Sequence, residues 1–168
     1  MTDTEFERCI RLFRGSVCAA ALCYLKNPAD ADDIVQDTFL KLYLYKGSFN
    51  DDEHIKAWLL RCAINASKNL LRSNWYRFSE PLTDMVIPET APPDTQSLLP
   101  LIMKLGRNNR VTMYMYYYEG YSTVEIAQIL GIDPSAVTSR LERGRKQLKK
   151  LLTEERNDGN DELQGYFQ

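Results

Sequence analysis

Seven prolines are spread so unevenly that they divide this chain before any other residue is read. Five of them, Pro81, Pro88, Pro92, Pro93 and Pro100, fall within residues 79–100. Proline lacks an amide donor and its ring clashes with the preceding helical turn, so this stretch cannot run on as a helix. It also carries Glu80, Asp84, Glu89 and Asp94 and no Lys or Arg, the composition of an extended acidic linker. The other two prolines, Pro28 and Pro134, each follow a capping residue, Asn27 or Asp133, and so mark helix starts. Helical spacing dominates on both sides, with almost no strand alternation. The expected fold is all-α: two small helical domains, residues 1–78 and 101–153, joined by a Pro-rich acidic linker over 79–100. A polar, disordered tail is expected over 154–168.

Composition narrows the function. The net charge is -2 in 168 residues, which excludes a globally basic nucleic-acid coat protein but leaves room for basic patches. The longest apolar run, Val17 to Leu25, spans nine residues, far short of the roughly 20 needed to cross a bilayer. With no basic start to its N-terminus, the chain is expected in the cytoplasm. Cys9, Cys18, Cys23 and Cys62 show no C-x-x-C spacing and the single histidine is His54, so neither a zinc site nor any other cofactor is expected. Cys9, Cys18 and Cys23 lie in an apolar helical stretch, where packing is the expected role. No set of residues with catalytic spacing is present, and an enzyme is not expected.

In the N-terminal half a first helix is expected from Thr4 to Leu25 and a second from Pro28. In the second, Ala31, Ile34, Val35, Thr38, Phe39 and Leu42 recur at three- and four-residue steps as a core face, opposite Asp30, Asp33, Gln36, Asp37 and Lys41. A loop over Lys46 to Asp52 leads to a long helix from Glu53 to Phe78, burying Ile55, Trp58, Leu59, Cys62, Ile64 or Ala66, and Leu70. Between His54 and Arg77 this helix carries Lys56, Arg61, Lys68, Arg72 and Arg77 and no acidic residue. A solvated surface helix normally mixes signs four residues apart. Cations interleaved with Asn65, Asn69, Ser73, Asn74, Trp75 and Tyr76 instead suit single-stranded nucleic acid, which needs charge for phosphates and flat faces for bases.

The C-terminal half is more specific. Ser122 and Glu125 form a capping box, a short helix buried through Val124 or Ile126, Ala127 and Leu130 follows, and Gly131 ends it. Asp133-Pro134 starts another helix. Ala127, Gly131 and Val137 then have the spacing of a helix-turn-helix. The second helix presents Ser135, Thr138, Ser139, Arg140 and Arg143, then Arg145, Lys146, Lys149 and Lys150, against Glu142 alone. Small polar residues first and cations behind suit base edges and then phosphates. In the stretch Met113 to Tyr118, four tyrosines at helical spacing must divide between core and surface.

Three motifs together resemble the extracytoplasmic-function group of bacterial RNA polymerase sigma factors. The first is Asp30-Ala31-Asp32-Asp33-Ile34-Val35-Gln36-Asp37-Thr38-Phe39. The second is Trp58-Leu59 with Arg61, Ala63, Asn65 and Arg72. The third is Arg110, Glu119-Gly120, Ser122, Glu125-Ile126-Ala127, Leu130-Gly131, Val137 and Ser139-Arg140-Leu141. The resemblance implies a transcription initiation factor that brings core RNA polymerase to promoters. Asp30, Asp33, Gln36 and Asp37 would dock on the polymerase clamp. Lys46 to His54 would hold a flipped base, and Lys56, Arg61, Asn65, Lys68, Asn69 and Arg72 the strand of the -10 element. The helix from Pro134 would read the -35 element through Ser135, Thr138, Ser139, Glu142, Arg143 and Lys146, with Arg140 on phosphate or in packing. The linker would thread the polymerase channel, and an anti-sigma partner would hold the protein, near the membrane where that partner is anchored. Thr138 stands where the family commonly has Lys or Arg, Gly106 where it has proline, and Asn69 where Asp is frequent, so no promoter sequence carries over. A free-standing helix-turn-helix regulator is the alternative; it leaves the first motif and the acid-free basic helix unexplained.

Overall fold

A computed structural model describes residues 1–73 and 98–157, with side chains to Glu154. The linker reading over 74–97, the helix end expected at 74–78 (Asn74, Trp75, Tyr76 and Arg77 with it) and the tail from 158 onward lie outside the described residues. The described residues form two compact units, 1–73 and 98–157, with seven helices and no strand among them.

The first unit is three helices: α1 (Asp3–Leu25), α2 (Pro28–Leu44) and α3 (Asp52–Arg72). The helix α1 starts one residue before the expected Thr4 because Thr2 caps it. The Glu5 amide donates to Thr2 Oγ1 at 3.2 Å, and Glu5 Oε2 accepts from the Thr2 amide at 2.8 Å. Its second half, from Ala19 to Leu25, is buried all round, because α2 and α3 pack on it from two sides and three consecutive alanines let them approach. Asn27 Oδ1 accepts from the Ala29 and Asp30 amides at 3.0 and 3.3 Å to open α2. All six expected core residues of α2 are buried. Burying Ile34, Val35, Phe39 and Leu42 contributes roughly 6–12 kcal/mol before chain entropy is counted.

The buried face of α3 differs from the expected one. Ile55, Leu59, Leu60, Ala63, Ile64 and Ser67 are buried, whereas Trp58, Cys62, Ala66 and Leu70 are half-buried. Both α1 and α2 contact this helix, so the buried arc is wider than one apolar stripe and takes in small residues that carry no hydropathy signal. Ser67 satisfies its hydroxyl by donating to the Ala63 carbonyl at 2.8 Å. Cys9 and Cys23 are buried, Cys18 and Cys62 half-buried, and none of the four is in a disulfide. Burial pushes Cys9, Cys18 and Cys62 up from the ordinary thiol pKa, which keeps them protonated and unreactive.

The second unit comprises α4 (Leu99–Met103), α5 (Arg107–Tyr117), α6 (Thr123–Leu130) and α7 (Pro134–Asn157). Two ends differ from expectation. The helix α4 begins at Leu99, inside the stretch read as linker, because Pro100 sits in a first turn where its missing amide costs nothing. At the other end α7 continues past Glu154 to Asn157, since Glu and Arg are ordinary helix formers and nothing there breaks the ladder. The core gathers Leu99, Ile102, Val111, Met113, Met115, Ile126, Leu130, Val137, Leu141 and Leu148. Arg110 is buried in it and donates to the Met103 and Leu105 carbonyls at 3.4 and 3.1 Å, closing the end of α4.

Candidate nucleic-acid interface

The turn between α6 and α7 sets what α7 can present. Ser122 Oγ accepts from the Glu125 amide at 3.3 Å and Glu125 Oε2 from the Ser122 amide at 2.7 Å. Those bonds hold the Glu125 carboxyl below its usual range. Gly131 closes α6 in the left-handed region, φ 66°, and the Gly131 and Ile132 amides both reach the Ala127 carbonyl. The Asp133 backbone carbonyl then accepts from the Ala136 and Val137 amides to open α7. Ile126 is buried while Val124 is 54% exposed, which decides between the two candidates for the α6 core position.

With the turn fixed, Val137, Leu141, Gly144 and Leu148 face inward. Ser135, Thr138, Ser139, Glu142, Arg143 and Lys146 share the outer side, an arc of roughly 140° at 100° per residue. All are exposed except half-buried Ser139. The Thr138 hydroxyl donates back to the Pro134 carbonyl at 3.2 Å, and Arg143 Nε to the Ser139 carbonyl at 3.3 Å. Arg140 is half-buried at one flank, in keeping with a packing or phosphate role. Arg145 leaves from the other flank and is not open to solvent as its place in the sequence suggests. Its Nε donates to the Tyr117 hydroxyl at 2.9 Å, and its guanidinium lies 5.7 and 5.8 Å from the Tyr116 and Tyr117 ring centroids. The tyrosine stretch is thereby largely accounted for within this unit. Tyr114 is buried, donates to Glu119 Oε1 at 2.7 Å and stacks on Tyr118, and only Tyr116 remains exposed.

In the first unit the polar face of α3 collects most of the expected residues. Arg61, Asn65, Lys68 and Arg72 fall within an arc of roughly 60°, with Asn69 beside it. Arg61, Asn65, Asn69 and Arg72 are exposed, and Lys68 is half-buried with Nζ 6.0 Å from the Tyr24 ring centroid. Lys56 does not join them: it is half-buried on nearly the opposite side of the helix. At the start of α3 the loop carries an aromatic group that sequence reading missed. Tyr45 lies 4.9 Å from Phe49 and 5.1 Å from Trp58, and Phe49 lies 5.7 Å from Trp58. His54, which has no evident support in the sequence, is held there: its Nδ1 accepts from the Asn50 amide at 3.3 Å and its ring meets the edge of Phe49. A cavity of about 300 Å³ opens beside this loop, lined in part by Glu5, Arg8, Gly47, Ser48 and Phe49. Arg8 forks onto both Asp52 oxygens at 2.7 Å and so ties α1 to the first turn of α3. That pairing holds the Asp52 carboxyl below its usual range.

The face of α2 turned away from the core has the opposite charge. Asp33, Gln36 and Asp37 are exposed and Asp30 is half-buried. The same outer side continues into Leu40, Tyr43 and Leu44, which are 55, 50 and 64% exposed. Asp33, Asp37, Leu40 and Leu44 follow one another at four, three and four residues, a spacing already visible in the sequence.

Two family models match, Sigma-70 region 2 over residues 9–77 and Sigma-70 region 4 over residues 95–148. SigW of Bacillus subtilis, an ECF RNA polymerase sigma factor, is 30% identical over 151 residues, 78% of this chain and 81% of its own. The chain belongs to the extracytoplasmic-function sigma factors. As a sigma factor it directs RNA polymerase to promoters. Among solved structures, CnrH in complex with the cytosolic domain of CnrY is 25% identical with a TM-score of 0.63, covering 90% of each chain. The sigma factor RpoE bound to the anti-sigma factor NepR, from Bartonella quintana, shares the fold with a TM-score of 0.72 at 22% identity, over 89% of this chain and 97% of that one. The region 2 match spans α1 to α3, and the region 4 match holds the helix-turn-helix of α6 and α7. No described helix is long and apolar enough to cross a membrane.

Proposed function

We propose that the labour of this sigma factor is divided by helix, residues 1–78 binding polymerase and the -10 element and residues 101–153 the -35 element. The outer face of α2, with Asp30, Asp33, Gln36 and Asp37, docks on the polymerase clamp. Arg61, Asn65, Lys68, Asn69 and Arg72 of α3 follow the melted -10 strand, and the loop Lys46 to His54 receives a flipped base. Flipping costs a few kcal/mol, and the Tyr45, Phe49 and Trp58 rings supply stacking surface to offset it. Lys56 belongs to this set only if its long stem carries the amine round the helix. Ser135, Thr138, Ser139, Glu142, Arg143 and Lys146 enter the -35 major groove, with Arg140 at the phosphates. The observation that carries this reading is the segregation of sign: acidic on the outer side of α2, basic on those of α3 and α7.

The protein works in the cytoplasm, without a cofactor and without enzymatic activity of its own. The polymerase supplies the chemistry, and the acidic stretch ahead of α4 runs in its channel. An anti-sigma factor holds it in reserve and keeps it near the membrane where that factor is anchored; the solved structure of the similar CnrH is a complex with the cytosolic domain of CnrY. Run-off transcription from genomic fragments with bacterial core polymerase tests the assignment. Initiation that depends on the protein, at start sites sharing two spaced elements, supports it. Specific duplex binding by the protein alone, with no initiation, would instead favour a free-standing regulator.

A further inference from the structure

One cation of α7 is spent inside the protein. Arg145 follows Gly144, whose missing β-carbon lets α7 lie directly against Met113 of α5: a β-carbon there would stand 2.7 Å from Met113 Cγ. Gly144 fixes how close the two helices come, but a glycine cannot fix rotation. Arg145 can. Its Nε–H points at a single acceptor, the Tyr117 hydroxyl at 2.9 Å. Its guanidinium is meanwhile held against the Tyr116 and Tyr117 rings, which meet each other edge to face at 5.0 Å. Arg145 lies seven residues, close to two turns, behind Thr138 on the same flank of the helix.

We propose that Arg145, with Tyr117 as its acceptor, is a positioning residue for -35 reading, setting the rotation of α7 so that Thr138, Ser139 and Arg143 meet base edges. The inference rests on the assignment of α7 to the -35 element. Side-chain tips stand about 5–6 Å from a helix axis, so a rotation of roughly 10° moves them by about 1 Å. Hydrogen bonds to bases tolerate heavy-atom distances of only about 2.7–3.2 Å. A slightly turned α7 therefore loses discrimination between sequences while keeping its charge for phosphates.

The test uses the holoenzyme and a promoter mapped by the run-off experiment, with its -35 element intact or scrambled. Tyr117→Phe removes one oxygen and nothing else; Arg145→Lys keeps the charge; Arg145→Met removes it. Tyr117→Phe should lower the intact-to-scrambled ratio of initiation about 3- to 10-fold, part of the discrimination carried by a base contact. Arg145→Lys should do the same, and the double variant should be no worse than the worse single one. The slope of log affinity against log salt should stay that of the wild type, for Arg145→Met as well. A slope lowered by about 0.9 in Arg145→Met, with Tyr117→Phe silent, would make Arg145 a phosphate contact and overturn the proposal. So would an unchanged ratio accompanied by a lower melting temperature, which would make the contact merely structural. A wild-type holoenzyme indifferent to the -35 element would instead refute the assignment of α7 itself.

Discussion

Gly144→Ala is the substitution for which simple helix propensity and the structure predict opposite signs. Alanine is favoured over glycine inside a helix by about 0.8–1.0 kcal/mol, and Gly144 lies in the interior of the 24-residue α7. Propensity alone therefore predicts a more stable protein. Against this, the new β-carbon would lie 2.7 Å from Met113 Cγ, 2.9 Å from Sδ and 3.6 Å from Cε, where carbon atoms prefer about 3.5–4.0 Å. Met113 is fully buried and Cγ is near the root of its side chain, so relief requires a new χ1 or a displaced helix. Such overpacking costs typically 1–3 kcal/mol, and the short distance to an atom that cannot swing away argues for the upper half of that range. The net expectation is a loss of about 1–2 kcal/mol.

Both tryptophans, Trp58 and Trp75, precede residue 90, which separates the signals of the two units. On urea unfolding, Gly144→Ala should move the second unit's transition, seen by circular dichroism, to lower denaturant while the tryptophan transition stays put. In a Met113→Ala background the clash is gone, and Gly144→Ala should become neutral or stabilising, a coupling of roughly 2–3 kcal/mol. A single variant stabilised by about 1 kcal/mol would refute the close-approach argument, and with it the account of how α5 and α7 are spaced.

Three further outcomes are expected. Arg143→Ala should weaken -35-dependent initiation by the equivalent of about 1–3 kcal/mol while leaving polymerase binding intact in a pull-down; loss of both would contradict the placement of Arg143 on the outer face. Thr38→Val should raise the stability of the first unit by about 1 kcal/mol, read by tryptophan fluorescence, because Thr38 Oγ1 is buried with no hydrogen-bond partner among the described residues; destabilisation would mean that the hydroxyl is satisfied. Asp52, held low chiefly by the hydrogen bonds from Arg8, and Glu5, held low chiefly by the Thr2 amide, contribute stability that is complete above the ordinary carboxylate range and is lost as pH falls through their lowered folded values. Acid titration of the first unit below about pH 4 should therefore be less steep in Arg8→Met, and an unchanged profile would remove the Arg8–Asp52 pair from that account.

What could be read from the sequence follows from which residues carry a local signal. Caps do: Asn27-Pro28, the Ser122 and Glu125 box and Gly131 stand where their side-chain and backbone chemistry requires. The single-sided packing of α2 does too, since one apolar stripe against two neighbours leaves no choice of face. The face of α3 does not. Ala63 and Ser67 are buried because two helices close over them, a tertiary fact with no trace in hydropathy, and Trp58 turns part of its surface toward the loop aromatics instead. Arg145 was miscounted among solvent-facing cations for the same reason. Nothing within α7 says that Tyr117, 28 residues earlier, waits with an acceptor. Lys56 shows a further limit, since a count of cations along a helix ignores which side each one leaves from.

A net charge of -2 would be awkward for a protein that must hold two DNA elements by itself, since affinity for free DNA grows with phosphates neutralised and is offset by acidic surface nearby. The arrangement of the charges resolves this. On the assignment proposed above, the outer side of α2 with Asp33 and Asp37 belongs to polymerase and not to DNA, and Glu142 is the one carboxylate in the first four turns of α7. The faces of α3 and α7 assigned to DNA are locally basic but small, and one of α7's cations, Arg145, is engaged by Tyr117. Two such surfaces should bind free promoter DNA weakly at physiological salt, and usefully only when polymerase holds both at once, because the second contact is then made at a high effective concentration. Polymerase binding through α2 is on this reading the condition for promoter binding, which makes the acidic face of α2 as decisive for promoter choice in the cell as the residues that touch bases.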